Sequence, residues 1–434
     1  MKRAVWLLIG AALVVIVVVA AVVLTAPPAP SGPAGEEDLS LTLVAEGLVH
    51  PLGVARAGGI TDRTFIVDQV GVVRMLLDND TLLPETFLDL RDQMVAVDPG
   101  GDERGLLSIA FHPDYEVNRR LFAFYSAPLG QGAEAGFDHT NLISEFTASP
   151  DGLSVDASTE RNVLAIDHPA RNHNGGQVLF GPDGFLYITV GDGGGANDVG
   201  FGHNATAGNA QDPRSLHGKV LRIDVDGREP YGIPEDNPYA SGGGLPEIYA
   251  LGFRNPAYAT FDPVGGGLFV ADAGQARYEE VDLVVKGGNY GWRFREGAHC
   301  FDPGDPRGDP ASCPSTGANG EPLIDPIGEF KNSAMPGGEG AAVIGGAVYH
   351  GNITAINDGY VFGAFRSGSP LFVLLPAENG TWNRSGIALE GQNGGLVPGF
   401  LLAVGTDLRG DVLVLSADNA GPSGRTGKVW RLQD

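Results

Sequence analysis

The amino-acid sequence predicts an all-β protein, a six-bladed β-propeller preceded by an N-terminal hydrophobic helix. A unit made of an apolar strand, a turn rich in Asp, Pro or Gly, and a second apolar strand recurs six times. Gly (66) and Pro (30) together exceed a fifth of the 434 residues, and long helical patterns are missing after residue 38. Small antiparallel sheets cannot bury both faces alone, so repeats of about 50 to 60 residues favour radial stacking into a propeller.

The first 26 residues differ from the rest of the chain. Lys2 and Arg3 precede an unbroken apolar run from Ala4 to Leu24, which is long enough to span a bilayer. We predict that residues 1–26 are a signal peptide or a transmembrane anchor, and we favour an uncleaved anchor because the run lacks a small-x-small cleavage site. Positive residues on its short N-terminal side would place the body outside the cytoplasm, in the periplasm or at the cell surface. Cleavage would leave the body secreted.

The propeller is predicted to occupy residues 39–434, after a Pro/Gly-rich linker over residues 27–38. One large β-sandwich is the alternative, because the repeats are unequal in length. Ring closure in a propeller is expected to pair the first strand, Leu39 to Ala45, with the last, Lys428 to Leu432.

Loops from one end of every blade converge on the central channel of a propeller. Three long insertions are therefore expected to wall a site: Ala133 to Asn141, Gly193 to Ser215, and Gly297 to Gly320. The third contains Cys300 and Cys313, which in an exported protein most simply form a disulfide. Two free thiols or a metal pair are the alternative.

The charge of the chain bears on its partners. A formal net charge of −25 opposes binding to nucleic acid and to anionic membrane surfaces. We therefore expect no nucleic-acid partner, and contact with a membrane only through the N-terminal segment.

His173 and Asp192 are the first candidates for chemistry, in the stretch NHNGGQVLFGPDGFLYITVGDGGG. His173 lies just before a strand and Asp192 at the end of the next, so hairpin pairing brings them to the same end of the blade. A carboxylate beside an imidazole fixes its tautomer and raises its basicity, as a general base requires. An exposed loop histidine and a turn aspartate bonded to its own backbone are the alternatives.

Arg254 and Asn255 precede a proline in ALGFRNPAYATFDP. A guanidinium in a channel binds carboxylates bidentately or stabilises an oxyanion, although most exposed arginines do neither. Glu103 precedes a buried strand in GDERGLLSIAFHPDY, where an ion pair with Arg104 or a turn contact is the alternative to a functional role.

A possible calcium site follows in VADAGQARYEEVDLVVKGGNYGW. Gly274 and Gln275 form a turn whose carbonyls could face a cation, and Glu279, Glu280 and Asp282 supply hard oxygen ligands. The spacing matches no EF-hand, and a solvated acidic strand is the alternative.

Five motifs stand in order along the chain: GDERGLLSIAFHPDY, NHNGGQVLFGPDGFLYITVGDGGG, HGKVLRIDVDG, LGFRNPAYATFDP and EEVDLVVKGGNYGWRFREG. Together they closely resemble the soluble pyrroloquinoline quinone (PQQ)-dependent glucose/sorbosone dehydrogenase (aldose sugar dehydrogenase) family. The likeness covers most of residues 45–370. It implies a six-bladed propeller, in agreement with the repeat count, which oxidises aldose sugars to the lactone with PQQ and calcium.

The resemblance implies a role for each matched residue on the substrate side. His173 falls on the family's general base, which takes the proton of the anomeric hydroxyl as a hydride passes to C5 of the quinone. Asp192 falls on the aspartate that orients this base, and Glu103 falls where a substrate-side polar residue is found. The electron acceptor is left open by the resemblance.

On the cofactor side, Arg254 matches the arginine that steadies charge on the quinone oxygen, and Asn255 matches its PQQ-binding neighbour. Gly274 and Gln275 would offer backbone carbonyls to the calcium that bridges cofactor and protein. PQQ carries three carboxylates, which the glucose-oxidising members meet with a lysine and further arginines from the last blades. Arg366, in FGAFRSG, is the first candidate for this role.

Lys331 is a second candidate for a carboxylate partner. The stretch GQARYEEVDLVVKGGNYGWRFREG is also similar to the branch that contains animal hedgehog-interacting-protein-like propellers. Two alternatives to a dehydrogenase therefore stay open. One is a non-catalytic propeller that binds sugars or proteins through its loops, and the other is a calcium-dependent lactonase with its metal on carboxylates and Asn deep in the channel.

Overall fold

The structure, a computed structural model, describes residues 39–318 and 320–434. These residues form six antiparallel sheets of four or five strands, arranged as a six-bladed β-propeller, and one separate two-stranded sheet, so the predicted fold is confirmed. The predicted N-terminal helix (residues 1–26) and linker (27–38) lie outside the described residues. Within the described ranges, no helix is long and apolar enough to cross a membrane.

The first three blades each contain four strands. Strand β1 (Ser40–Leu48) precedes them and belongs to the sixth blade. Blade 1 contains β2 (Pro51–Ala55), β3 (Arg63–Asp68), β4 (Val72–Leu77) and β5 (Leu82–Asp89). Blade 2 contains β6 (Leu106–Phe111), the short helix α1 (Tyr115–Asn118), β7 (Arg120–Ala127), β8 (His139–Thr147), a 3₁₀ turn (Ala157–Thr159) and β9 (Arg161–His168). Blade 3 contains β10 (Val178–Phe180), β11 (Leu186–Val190), β12 (Lys219–Ile223) and β13 (Ile248–Leu251).

The last three blades carry small additions to the same plan. Blade 4 contains β14 (Tyr258–Phe261), β15 (Leu268–Asp272), β16 (Tyr278–Val284), the separate pair β17 (Arg295–Glu296) and β18 (His299–Cys300), and β19 (Gly328–Lys331). Blade 5 contains β20 (Val343–Tyr349), a 3₁₀ turn (Thr354–Ile356), β21 (Gly359–Ala364), β23 (Leu371–Pro376) and β24 (Trp382–Ile387), with β22 (Ser367–Ser369) paired to blade 6. Blade 6 contains a 3₁₀ turn (Asn393–Gly395), β25 (Val397–Thr406), β26 (Val412–Ala417), β27 (Gly427–Gln433) and β1.

Apolar clusters between neighbouring blades hold the ring together. Strand β11 shows how one strand serves two of them: Leu186 and Ile188 pack against blade 2, and Tyr187 between them packs against blade 4, with its ring 5.0 Å from that of Phe261. Successive side chains point to opposite faces of a sheet. The second strand of each blade therefore reads as an almost continuous apolar run, because both of its faces are buried.

Ring closure and the disulfide are both as predicted. Strand β1 pairs with β27, with Leu41 opposite Leu432 and Ala45 opposite Val429. Cys300 and Cys313 are bonded, with 2.06 Å between the sulfurs and 5.4 Å between the Cα atoms.

The functional candidates lie at one end of the propeller, which we call the site end. The first strand of each blade begins there and the second strand ends there, because the two are antiparallel. The three long insertions meet at this end: the ring of Phe137 lies 5.5 Å from that of Phe201, and Nδ2 of Asn197 donates to the carbonyl of Pro303 (3.1 Å).

Candidate functional site

His173 and Asp192 form a buried pair at the site end. Nδ1 of His173 lies 2.8 Å from Oδ1 of Asp192, and the side chains are only 5% and 0% exposed. A carboxylate can only accept a hydrogen bond, so Nδ1 carries the proton. Nε2 has no hydrogen bond to a described residue, and its lone pair is free to accept a proton. The hairpin of β10 and β11 thus brings the two predicted residues together.

The backbone of His173 is held in an unusual conformation. Its φ is +60°, which is uncommon for a residue with a side chain. The N–H of His173 donates to Oε2 of Glu103 (2.6 Å), and its carbonyl lies 3.1 Å from Nε2 of His168. A Cβ at Gly191 would lie 1.8 Å from that carbonyl, so only glycine fits there. Such conformations persist where the surroundings fix them, and here they aim the imidazole.

Asp192 is fully buried and has a partner for each oxygen. Oδ1 also accepts from the N–H of Gly194 (3.0 Å), and Oδ2 accepts from Nε1 of Trp292 (2.9 Å). Burial alone would raise the pKa of this carboxyl, but the charge and hydrogen bond of His173 and the charge of Arg254 outweigh it and hold the pKa of Asp192 below its ordinary value. Asp192 is therefore ionised and stabilises a positive charge on His173.

Glu103, which precedes the first strand of blade 2, bonds one residue before blade 3 and one before blade 4. Its Oε2 accepts from the N–H of His173 (2.6 Å) and from Nδ2 of Asn255 (3.2 Å). The ion pair with Arg104 that offered an alternative role does not form, because Arg104 binds Asp102 instead (2.8 Å). Glu103 is exposed, and its Oε1 has no hydrogen bond to a described residue.

Arg254 and Asn255 are fixed through their backbone and their side chains. Their N–H groups donate to the two oxygens of Asp272 (2.8 and 2.6 Å). The Arg254 guanidinium donates to the carbonyl of Ala273 (2.8 Å) and to Oε1 of Gln275 (3.3 and 3.2 Å). These neutral oxygens leave the positive charge available to an anionic ligand.

The turn at Gly274 and Gln275 presents two carbonyl oxygens. The N–H of Gly274 donates to Glu279 (3.1 Å) and that of Gln275 to Glu296 (2.7 Å). A Cβ at Gly274 would lie 1.7 Å from the carbonyl of Tyr278, so the turn requires glycine. Among the described residues, neither carbonyl accepts a hydrogen bond. Hard, unpartnered oxygens of this kind suit calcium.

The acidic residues that follow are buried, so the alternative of a solvated acidic strand is wrong. Asp272, Glu280 and Asp282 offer oxygens within 4.8 Å of one another. Burial raises the pKa of Asp272 to about 7 and that of Glu279 to about 8. Burial and mutual repulsion raise the pKa of Glu280 and of Asp282 well above the ordinary range. The group either stays partly protonated or holds a hard cation.

The structure does not bring the other two basic candidates to the His173 pair. Arg366 lies at the site end of blade 5, where it is exposed, and its Nη1 is 3.4 Å from the carbonyl of Glu339. Lys331 ends β19 and is also exposed. Both could meet a ligand from solvent, but no described residue holds either of them against Arg254.

Sequence reasoning missed several residues around the pair. Trp292 bonds Asp192, and Nδ2 of Asn209 donates to the Asp192 carbonyl (2.9 Å). Lys219 is fully buried and donates to the carbonyls of Asn209 and Ala210 (2.7 and 3.0 Å), and burial lowers its pKa to about 7. For Lys219, the sequence signal that could have predicted its burial is its position at the start of an apolar strand in HGKVLRI.

A cavity of about 150 Å³ lies in the central channel between the first strands of the blades. Arg56, Gln177 and Thr260 are among its polar lining residues. No carboxylate lines it among the described residues.

Comparison with known proteins gives one family and several relatives. The sequence model described as Glucose / Sorbosone dehydrogenase matches residues 48–367. The HIPL2 protein of Arabidopsis thaliana is 31% identical over 439 residues, which cover 85% of this chain and 60% of that protein. The Hedgehog-interacting protein of Homo sapiens is 29% identical over 410 residues, which cover 90% of this chain and 52% of that protein. The chain thus spans between half and three fifths of the length of these curated relatives.

Among solved structures, the PQQ-bound form of the aldose sugar dehydrogenase from Streptomyces coelicolor has the same fold. The match has a TM-score of 0.63 and 21% identity, and it covers 93% of this chain and 99% of that one. At this level of identity the likeness shows the fold alone.

Proposed function

Because the chain belongs to the glucose/sorbosone dehydrogenase family, we propose that it is a PQQ- and calcium-dependent enzyme that oxidises aldose sugars at the anomeric carbon to the lactone. One observation carries the proposal. His173 and Asp192 form a general-base pair with a free Nε2, and Arg254 stands beside them with its charge available. The family and its structural neighbours support an oxidoreductase in general, and the residues argue for this reaction.

In the proposed reaction His173 acts as the general base. Its Nε2 takes the proton of the anomeric hydroxyl, and the positive imidazolium is stabilised by Asp192 at 2.8 Å. Loss of that proton pushes electrons towards the anomeric carbon, so that a hydride leaves as the carbonyl of the lactone forms. The proton thus leaves the hydroxyl oxygen, and the hydride leaves the anomeric carbon that bears this hydroxyl.

The residues at the site fit both the cofactor and the metal. The carbonyls of Gly274 and Gln275 would ligate calcium, because they are unpartnered hard oxygens. Arg254 and Asn255 would bind PQQ, the arginine against a quinone oxygen that becomes negative on reduction. When bound, PQQ supplies the oxidant that accepts the hydride.

Two further contacts complete the proposed site. Arg366 would meet a carboxylate of PQQ from blade 5, because its only described hydrogen bond is a 3.4 Å contact to a carbonyl. Glu103 would accept a hydrogen bond from a sugar hydroxyl through its free Oε1, while its Oε2 holds His173 in place.

Reconstitution tests the proposal. The purified full-length chain is incubated with PQQ and Ca²⁺, and the reduction of an artificial electron acceptor is followed across a panel of aldoses. We expect turnover that requires both additions and that disappears when a chelator removes calcium. Absence of turnover with every aldose would refute the proposal.

A non-catalytic propeller that binds sugars or proteins is the second candidate. It is favoured by the similarity to the Hedgehog-interacting protein over 90% of this chain and by the exposure of Arg366. Titration with PQQ separates the two candidates. Tight uptake with a change in the quinone absorbance supports the enzyme, and no uptake together with binding of an immobilised sugar or protein supports the second candidate.

We further propose that the body works outside the cytoplasm, tethered by the N-terminal segment or secreted. The Cys300–Cys313 disulfide is consistent with an oxidising compartment. Each lactone formed releases two electrons, so the cycle needs an external electron acceptor at the site end.

A further inference from the structure

Trp292 contacts Asp192 on the substrate side of the proposed site and Arg254 on its cofactor side. Its side chain is buried, and the whole residue is only 2% exposed. The indole N–H donates to Oδ2 of Asp192 (2.9 Å) across a sequence separation of 100 residues. The guanidinium carbon of Arg254 lies 5.6 Å from the centre of the same ring. One side chain thus joins the general-base pair to the arginine.

The indole N–H is the only hydrogen-bond partner of Asp192 Oδ2 among the described residues. The other oxygen, Oδ1, serves His173 and Gly194. Loss of the N–H would leave a buried carboxylate oxygen unsatisfied, which is costly and favours the protonated carboxyl. A protonated Asp192 could no longer stabilise a positive His173.

Trp292 is itself fixed by its surroundings. Its carbonyl accepts from Nε2 of Gln211 (2.7 Å), and its N–H donates to the carbonyl of Gly252 (2.9 Å). Its ring packs against Phe301 with 4.7 Å between the ring centres. The indole therefore meets Asp192 and Arg254 in a preset position.

We propose that Trp292 is a positioning residue for sugar oxidation. The indole N–H keeps Asp192 ionised and aligned on His173, and the ring face holds the Arg254 guanidinium at the cofactor side by a cation–π contact. This inference deepens the proposed function and rests on it.

Two substitutions separate the two contacts. Trp292→Phe keeps a ring beneath Arg254 but removes the N–H, so we expect kcat with a saturating aldose to fall about tenfold, with the Kd for PQQ changed less than about twofold. When His173 is already replaced by Gln, adding Trp292→Phe should lower kcat by a further factor of less than about two, because Trp292 acts through His173. Trp292→Leu removes both contacts and should also weaken PQQ binding about two- to fivefold.

Trp430 provides a matched control. Its indole N–H donates to Oγ of Ser416 (2.9 Å) in blade 6, which contributes none of the proposed site residues. Trp430→Phe removes a comparable hydrogen bond and should leave kcat within about twofold of the wild type. If Trp292→Phe fails to fold, site-specific benzothienylalanine keeps the shape of tryptophan without the N–H and replaces it in the test.

A measurement on the apoprotein keeps this test independent of the proposed function. The proton on His173 Nδ1 should give a downfield NMR signal that shifts in Trp292→Phe and stays unchanged in Trp430→Phe. An unshifted signal in Trp292→Phe would overturn the inference, as would an undiminished loss of kcat in the His173→Gln background. If the wild type never oxidises an aldose, the proposed function fails, and the NMR comparison still decides the role of Trp292.

Discussion

The two sides of the candidate site differ in how firmly the fold builds them. On the first side, which we call the linked half, hydrogen bonds join five residues of blades 2 to 4: Glu103, His173, Asp192, Arg254 and Asn255. On the second, the open half, Arg366 of blade 5 is exposed. In the proposed enzyme the fold would therefore set the geometry for proton transfer before any ligand binds, and an exposed side chain would meet the carboxylates of the cofactor.

Burial explains the difference. Arg254 is 8% exposed, and its guanidinium bonds a carbonyl and an amide oxygen, so it pays little conformational entropy when a ligand arrives. Arg366 must lose side-chain freedom on binding. Preset dipoles and charges stabilise a transition state without reorganisation, so the linked half should dominate the rate.

The largest effect is expected at the base. His173→Gln removes the acceptor of the hydroxyl proton and should lower kcat by about two to four orders of magnitude while leaving PQQ uptake largely intact. Steady-state kinetics and PQQ titration measure the two quantities. His350→Gln is the control, because the His350 imidazole also bonds a carboxylate, that of Asp262 at 2.7 Å, but lies at the other end of blade 5. An equal loss of PQQ uptake would make His173 a cofactor ligand.

The pH dependence of folding stability tests buried groups outside the two halves. His50 in blade 1 and His217 in blade 3 are both buried, and desolvation lowers the pKa of each from 6.5 to about 4. Between these values the unfolded chain binds protons that the folded chain does not. The contribution of each histidine to the unfolding free energy should therefore fall as pH drops from about 6.5 to 4, by at most roughly 3 kcal/mol for each histidine. The buried carboxyls of blade 4 act in the opposite direction over this range, because their pKa values are raised.

Denaturant titrations at several pH values measure this loss. Relative to the wild type, His50→Gln and His217→Gln should each lose less unfolding free energy between pH 6.5 and 4, and by a similar amount. A pH dependence that is the same in the wild type and in both variants would contradict the burial of the two histidines.

The next largest effect is expected at the turn of Gly274 and Gln275, the proposed calcium ligands. Gly274→Ala would place a Cβ 1.7 Å from the Tyr278 carbonyl, so the turn must shift and calcium affinity should fall about 10- to 100-fold. Isothermal titration with Ca²⁺ and PQQ measures it. Gly386→Ala is the matched control, since its Cβ would meet nothing within 4 Å. Equal affinities in the two variants would remove Gly274 from the metal site.

The smallest effect is expected in the open half. Arg366→Ala should weaken PQQ binding only about two- to fivefold, because an exposed ion pair contributes little. Arg384→Ala nearby should change PQQ binding even less, since Arg384 already pairs with Glu339 at 2.9 Å. A loss of 50-fold or more in Arg366→Ala would show that the open half is as firmly built as the linked half.

The fold and the contact between His173 and Asp192 were predictable for different reasons. Strand periodicity and repeated turns predict the blades, because each blade needs neighbours to bury both faces. His173 and Asp192 belong to one hairpin, so local pairing alone predicts their contact. The matching of Arg254 and Gly274 to cofactor roles depended on the family resemblance.

What the sequence did not reveal depends on distant contacts. Trp292 reaches Asp192 from 100 residues away, and no local pattern aligns an indole N–H with a carboxylate oxygen. Glu280 and Asp282 look like residues of a solvated strand, since burial of charged side chains is costly and rare. Only the packing of blade 4 shows that they are inside.

Product analysis tests the central claim most directly. The full-length chain loaded with PQQ and Ca²⁺ is given an aldose and an artificial two-electron acceptor, and the lactone is quantified by NMR against reduced acceptor. We predict one lactone for each acceptor reduced in the wild type, and a rate lower by about two to four orders of magnitude in His173→Gln. A wild type that binds PQQ and Ca²⁺ but forms no lactone would contradict the account.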